Sequence, residues 1–304
     1  MSKRGWAVAT VMVALSLVVA ACGKDKTTET GSQSNTTAGV TTTRPTFAAG
    51  STMANLQAKG KIVVGTKFDQ PGLGQKNPTT GKVEGFDVEI AKLIAQGLFG
   101  GSLSDAESKI EFKESTTPNR ETFIENGTVD IVVATYTIND ARKQRIDFAG
   151  PYYVAGQDIM VKASDNTIKG VADLNGKKTC SVRNSTPAAN VVKLAPQADL
   201  TLFDQYSDCV QAMRDGRVQS VTTDNSILLG FVANAPTEFK IVGNKFTDEP
   251  YGIGLKKGDT AFRAFINDRL EAIYANGAWA SAFTATLGKL GIPTPTPPAV
   301  NRYS

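Results

Sequence analysis

In the stretch VDIVVATYTINDARKQRIDF, two threonines and an arginine, Thr135, Thr137 and Arg142, follow a short apolar run. Such a run has the pattern of a buried strand, so hydroxyls and a guanidinium stand at a strand end. A guanidinium grips a carboxylate with a two-pronged, charge-assisted contact. Other strand-like runs end in the same kind of residue. IVVGT leads to Lys67, IEFKES to Arg120, TCSVRN to Ser185 and Thr186, and VTT to Asp224. In open α/β sheets ligands bind beyond the carboxyl ends of the strands, which places these residues around one cleft. Cations, hydroxyls, a helix start and one carboxylate suit a small zwitterion carrying excess negative charge. The aspartate among the cations has a natural partner in an ammonium group. Each residue also has a plainer reading: Arg142, Lys67 and Arg120 as solvated charges, Asp224 and Thr186 as helix N-caps.

The composition excludes several chemistries. The chain of 304 residues contains no histidine. This removes the commonest general base, the Ser-His-Asp and Cys-His arrangements and most zinc sites. Neither a metal nor a cofactor is expected. With 33 basic and 29 acidic residues, the formal charge of +4 is mild and gives no nucleic-acid footprint. No GxxxxGK[ST] loop is present, so any ATP hydrolysis would belong to a partner.

The elements that must position these residues alternate. Strand-like runs (IVVG, IEFKES, VDIVVAT) are separated by helical patterns, GFDVEIAKLIAQGLFG and NRETFIENG, and a second set repeats the alternation from KTCSV to FKIVG. Strands that are nearly all apolar argue for parallel sheets covered on both faces. YGIGLKK fits the first unit better than the second. The chain is therefore expected to leave the first unit, build the second and return. The expected organisation is a first lobe over 53–151 plus 250–290, a second over 157–247, hinges near 152–156 and 248–252, and a Pro-rich extended tail over 291–304.

The first residues read as a targeting segment, with Lys3 and Arg4 before the apolar stretch from Trp6 to Ala20. LVVAAC looks like a bacterial lipobox, with residues 1–21 removed and Cys22 lipidated; the alternative is an ordinary secretory peptide with an incidental cysteine. Residues 22–52, rich in Thr, Ser, Gly and Asn, read as a flexible tether. Export would place Cys180 and Cys209 in an oxidising setting, where an even pair usually closes a disulfide. Two free thiols are the alternative.

Taken in order, GFDVEIAK, VDIVVATYTINDARKQRIDFAGPYY, NSTPAANV, TTDNSILLG and YGIGLKK closely resemble family 3 solute-binding proteins of polar amino-acid ABC importers. The resemblance covers Leu56 to Leu287. KFDQPGLG and the cysteine pair look most like glutamate-binding lipoproteins of actinobacterial importers. The resemblance implies an α/β, two-lobed periplasmic-binding-protein-like fold of type II. Each lobe would be a mixed, mostly parallel sheet flanked by helices, and two strands would join the lobes. It also implies roles. Arg142, Thr137 and Thr186 would take the α-carboxylate, with Thr135 nearby, and Asp224 the α-ammonium. Lys67 and Arg120 would hold a side-chain carboxylate, and Tyr206 would line the pocket. The sequence departs from the family in reading TINDAR for the usual TITPER, and in placing Asn184 where a glycine is usual.

The implied protein is not an enzyme. It is a lipid-anchored monomer on the outer face of the cytoplasmic membrane that closes its lobes on an amino acid and delivers it to a permease and its ATPase. Lys67, Arg120 and Arg142 against Asp224 leave a surplus of positive charge, which favours glutamate, then aspartate. Glutamine would leave buried cations without an ionic partner, at a cost of several kcal/mol. A glutamine or general polar amino-acid binder is the alternative, and a dehydratase-type enzyme on the same fold is a more remote one.

Overall fold

A computed structural model of the chain describes residues 42–303. The targeting segment, the lipidation of Cys22 and the tether up to residue 41 lie outside the described residues. The rest of the expected tether is a correction, because residues 42–51 lie against the first lobe. Thr42 and Gly101 exchange backbone hydrogen bonds at 3.1 and 2.7 Å. Phe47 meets Phe265 edge-on, with centroids 5.2 Å apart. Phe47 and the backbone bonds tie down a tract whose average composition is polar.

In chain order, the first part gives α1 (Thr52–Lys59), β1 (Ile62–Thr66), β2 (Asp69–Gln70), β3 (Gly74–Lys76), β4 (Val83–Glu84), α2 (Phe86–Phe99) and α3 (Leu103–Glu107). It continues through β5 (Ile110–Glu114), α4 (Arg120–Glu125), β6 (Ile131–Val132), α5 (Asp140–Lys143) and β7 (Asp147–Ala155). The second part comprises β8 (Gln157–Lys162), β9 (Lys178–Val182), α6 (Thr186–Leu194), β10 (Asp199–Phe203), α7 (Tyr206–Arg214), β11 (Ser220–Asp224), α8 (Asn225–Asn234) and β12 (Phe239–Ile241). The chain then returns through β13 (Glu249–Leu255) to α9 (Thr260–Ala275) and α10 (Ala278–Ala285).

Two five-stranded sheets result, ordered β5-β1-β6-β13-β7 and β10-β9-β11-β8-β12, with a small third sheet of β2, β3 and β4. The strands β5, β1 and β6 pair in parallel, whereas β13 is antiparallel to both β6 and β7. The second sheet repeats this: β10, β9 and β11 are parallel, and β8 is antiparallel to β11 and β12. Thus each sheet contains one reversed strand. "Mostly parallel" describes strand direction but not pairing, which divides evenly. Apolar runs do not carry direction, so the sequence could not show this.

The chain passes between the sheets twice, side by side, since the last residue of β7, Ala155, pairs with the first of β13, Glu249. Gly156 stands at this crossing. A Cβ there would come within 2.7 Å of the Thr247 carbonyl, so close approach of the two connections requires glycine.

The first lobe's core is aromatic. Phe86 of α2 meets Trp279 and Phe283 of α10, with centroids 5.7 and 5.4 Å apart. Ile90, Leu93, Ile94 and Leu98, expected on one face of α2, are all buried. In the second lobe a disulfide joins Cys180 of β9 to Cys209 of α7 across a separation of 29 residues. A loop of that size corresponds to about 3–4 kcal/mol in the chain-entropy account. The tail runs along the free edge of β7. Asn301 donates its N–H to the Gly150 carbonyl and Tyr303 Oη accepts from Phe148 N–H, both at 2.8 Å. Among the described residues, no helix is long and apolar enough to cross a membrane.

Candidate functional site

The strand ends converge between the lobes on a small, tightly closed cavity lined by Arg120, Thr135, Thr137, Arg142, Thr186, Tyr206 and Asp224, among others. Lys67 is one layer back: its Nζ donates to Thr117 Oγ1 at 2.7 Å, and Thr117 lines the cavity.

Arg142 sits on α5, where the Asn139 side chain accepts the Arg142 N–H at 2.9 Å as N-cap. The departure from TITPER therefore keeps the cap, since asparagine caps as well as threonine. The guanidinium is buried and fixed on three sides. Nη1 donates to the Thr137 carbonyl at 2.7 Å, Nη2 to the Asn184 carbonyl of the second lobe at 3.1 Å, and Nε faces Glu121 at 3.3 Å. Burial, then Arg120, lowers its pKa to about 10, which leaves it charged at neutral pH. Asn184 has φ of +58°. This is the left-handed region that glycine favours and that asparagine tolerates better than most residues, so the second departure also preserves the backbone path.

Arg120 opens α4 and donates from Nη1 to the carbonyls of Ala134 and Thr135 at 3.0 and 3.1 Å. Its guanidinium carbon lies 4.1 Å from the Tyr136 ring centroid, and that of Arg142 lies 5.0 Å from the same centroid. Arg120 Nε is buried without a partner among the described residues. Burial, then repulsion from Arg120, drives the Lys67 pKa well below its ordinary value.

Thr135 is held at φ of +45°, a strained position for a β-branched residue. It is fixed by buried Asp87 of α2, whose Oδ2 accepts the Thr135 N–H at 2.9 Å and whose Oδ1 accepts from Tyr152 Oη at 2.7 Å. Burial raises the Asp87 pKa to about 7.

Ser185, not Thr186, caps α6, accepting the Ala188 N–H at 3.0 Å. Asp224 does occupy the N-cap position of α8, but its side chain makes no capping bond. Instead Oδ2 accepts from Tyr251 Oη at 2.6 Å, while Oδ1 is buried without a partner among the described residues. Burial, then the charge of Glu249, raises the Asp224 pKa to about 8. Tyr206, the first residue of α7, is buried, and burial pushes its pKa to about 12.

Sequence reasoning missed two carboxylates. Glu249 Oε2 accepts from Thr137 Oγ1 of the first lobe at 2.7 Å and from Thr186 Oγ1 of the second at 2.6 Å. Its Oε1 accepts from Thr247 Oγ1 at 3.0 Å. Glu121 is the second. Counting them corrects the positive surplus read from sequence, because Arg142 and the threonine pair already face carboxylates. Glu121 lies in NRETFIENG and Glu249 two residues before YGIGLKK, and neither sits at a strand's carboxyl end, where the other site residues cluster.

Two lobes joined by two adjacent connections, with polar and charged groups from both facing one small cavity, define a binding protein for a small solute. The chain belongs to the bacterial extracellular solute-binding proteins, family 3, whose model matches residues 62–288. It is 41% identical to the glutamate-binding protein GluB of Corynebacterium glutamicum over 236 residues, covering 76% of this chain and 79% of that protein. It is 39% identical to the ABC transporter glutamine-binding protein GlnH of Bacillus subtilis over 229 residues, covering 75% and 81%. Among solved structures, an ancestral arginine-binding protein bound to arginine matches with a TM-score of 0.69 and 36% identity, covering 75% of this chain and 98% of that one. The fold is the type II two-lobed binding fold.

Proposed function

We propose that the protein captures an acidic amino acid, L-glutamate first and aspartate next, and passes it to a membrane permease driven by a partner ATPase. Lipidation at Cys22 would hold it on the outer face of the cytoplasmic membrane. The observation that carries the reading is the pairing of Arg142 with the unsatisfied oxygen of Asp224 across one cavity. These two groups answer the α-carboxylate and α-ammonium of any amino acid. A ligand that touches both lobes supplies the differential affinity that lobe closure needs. Thr137 and Thr186 give their hydroxyl protons to Glu249, so their part in binding the α-carboxylate falls to backbone N–H groups. Thr186, as first residue of α6, has an N–H with no acceptor within the helix.

Preference for an acidic side chain rests on Lys67 and Arg120. The two cations are buried and repel each other, and a carboxylate beside them would relieve both penalties. The presence of Glu121 and Glu249 favours a second reading, glutamine, because they already offset cationic charge in the cluster. Calorimetry on the purified protein with glutamate, aspartate, glutamine and asparagine separates the two. Glutamine binding as tightly as glutamate would remove the role given to Lys67 and Arg120. A dehydratase-type activity would appear as turnover of bound ligand, for which the histidine-free cleft offers little general acid or base.

A further inference from the structure

Asp69 lies on β2 of the first lobe, outside the residues that line the cavity. Its Oδ2 accepts the backbone N–H groups of Tyr206 and Ser207 at 3.0 and 3.2 Å. These are the first two residues of α7, which belongs to the second lobe. The N-cap position of α7 is Gln205, whose side chain makes no capping bond. A helix start leaves its first N–H groups unsatisfied and carries partial positive charge. Here the carboxylate that answers them comes from the opposite lobe.

The surroundings show that this contact is part of a seam. The Gln205 side chain turns away from its own helix and donates to Glu114 Oε1 of β5 at 2.6 Å. Two residues beyond Asp69, the Pro71 carbonyl sits so close to α8 that a Cβ on Gly230 would lie 2.2 Å from it. Gln70, next to Asp69 on the strand, reaches the other way and accepts from Thr135 Oγ1 at 3.1 Å. One short segment therefore touches both the floor of the cavity and the opposite lobe. Tyr206, which α7 presents to the cavity, stands on the capped turn.

We propose that Asp69 is a positioning residue, a helix cap supplied across the cleft that fixes Tyr206 against the ligand and sets how long the closed lobes retain it. The contact forms only when the lobes meet, so it stabilises the closed form and leaves the open form unaffected. The effect belongs in the dissociation rate. The proposal rests on the lobe-closure reading but not on glutamate being the ligand.

The test is stopped-flow kinetics with L-glutamate and L-glutamine as probes. Asp69→Ala should speed dissociation about tenfold, the scale of one lost cap, while leaving association within about twofold. Asp69→Asn, which keeps an acceptor without the charge, should fall between. A purely local role in stabilising α7 is separated by Asp69→Ala combined with Gln205→Asn, which supplies a cap from within the second lobe, and is read against Gln205→Asn alone, because Gln205 itself bridges to Glu114. The double variant should match the melting temperature of Gln205→Asn but release the ligand faster. Unchanged dissociation in Asp69→Ala, or recovery of both properties in the double variant, would overturn the proposal. If neither amino acid binds the wild type, the proposed ligand is wrong, and spin-label distances between the lobes decide instead. A shift of Asp69→Ala toward longer distances supports the role, and identical distributions refute it.

Discussion

Tyr251 donates its hydroxyl proton to one oxygen of Asp224 at 2.6 Å, and the other oxygen is buried at the cavity with no partner among the described residues. The first oxygen belongs to the fold and the second is available to a ligand. Asp224→Asn keeps an acceptor for Tyr251 but removes the charge an ammonium needs. Binding of every amino acid should weaken by more than a hundredfold, since a buried ion pair missing one partner costs about 3–5 kcal/mol. Calorimetry reads this directly.

The same substitution should stabilise the protein. The native Asp224 pKa, about 8, lies above its ordinary value of 3.8. Between those values the native state holds a proton that the unfolded chain has released, so this group's contribution to stability falls as pH rises through that window. Asparagine has no such dependence. Melting temperatures of Asp224→Asn and wild type, measured without amino acid from pH 5 to pH 9, should diverge in favour of the variant as pH increases. Parallel curves would contradict the raised pKa.

Ligand binding should follow the opposite trend. An ammonium needs ionised Asp224, and below pH 8 a proton competes for it. Affinity should fall toward a limiting slope of about tenfold per pH unit as pH drops below that pKa. Glu249 is the second cause of the raised pKa. Glu249→Gln should therefore shift the midpoint of the affinity profile to lower pH. An unmoved midpoint would show that Glu249 acts on the threonines alone.

The sequence made the ends of the apolar runs legible because short motifs carry them: Arg142 in TINDAR, Thr186 in NST and Asp224 in TTD all reach the cavity. It could not show what those residues touch. Glu249 meets Thr137 across 112 residues, and Tyr251 meets Asp224 across 27, so chain proximity gives no hint of either contact. For the same reason the charge of the motif residues alone overstates the positive surplus, because folding brings Glu121 and Glu249 beside them. The small sheet escaped notice for another reason. Its strands span two or three residues, too short for an alternation to register. That sheet supplies both Gln70 and Asp69.

In the proposed site Arg142 takes the α-carboxylate common to all amino acids. Arg142→Lys keeps the charge but cannot span the Thr137 and Asn184 carbonyls while facing a carboxylate. Affinity for glutamate and glutamine should drop together, by about a hundredfold or more. Competition of each amino acid against a labelled ligand checks this. Loss confined to one of them would move Arg142 from the α-carboxylate to the side-chain end.

In the proposed site Lys67 and Arg120 select the acidic side chain, and Lys67 can be removed with the least disturbance. Its Nζ donates to the Thr117 hydroxyl, which can rotate toward another partner. Lys67→Met preserves the length of the side chain and deletes a charge that burial and Arg120 both disfavour. The native pKa is depressed below the ordinary lysine value, so the wild-type group costs stability at every pH below 10.5 and most below its native pKa. The variant should therefore melt higher at neutral pH. Its affinity for glutamate should fall about tenfold or more, as expected for the loss of one charge-assisted contact, while its affinity for glutamine holds. If glutamate and glutamine weaken equally, Lys67 only shapes the floor beneath Thr117, and selection between the two ligands falls to Arg120.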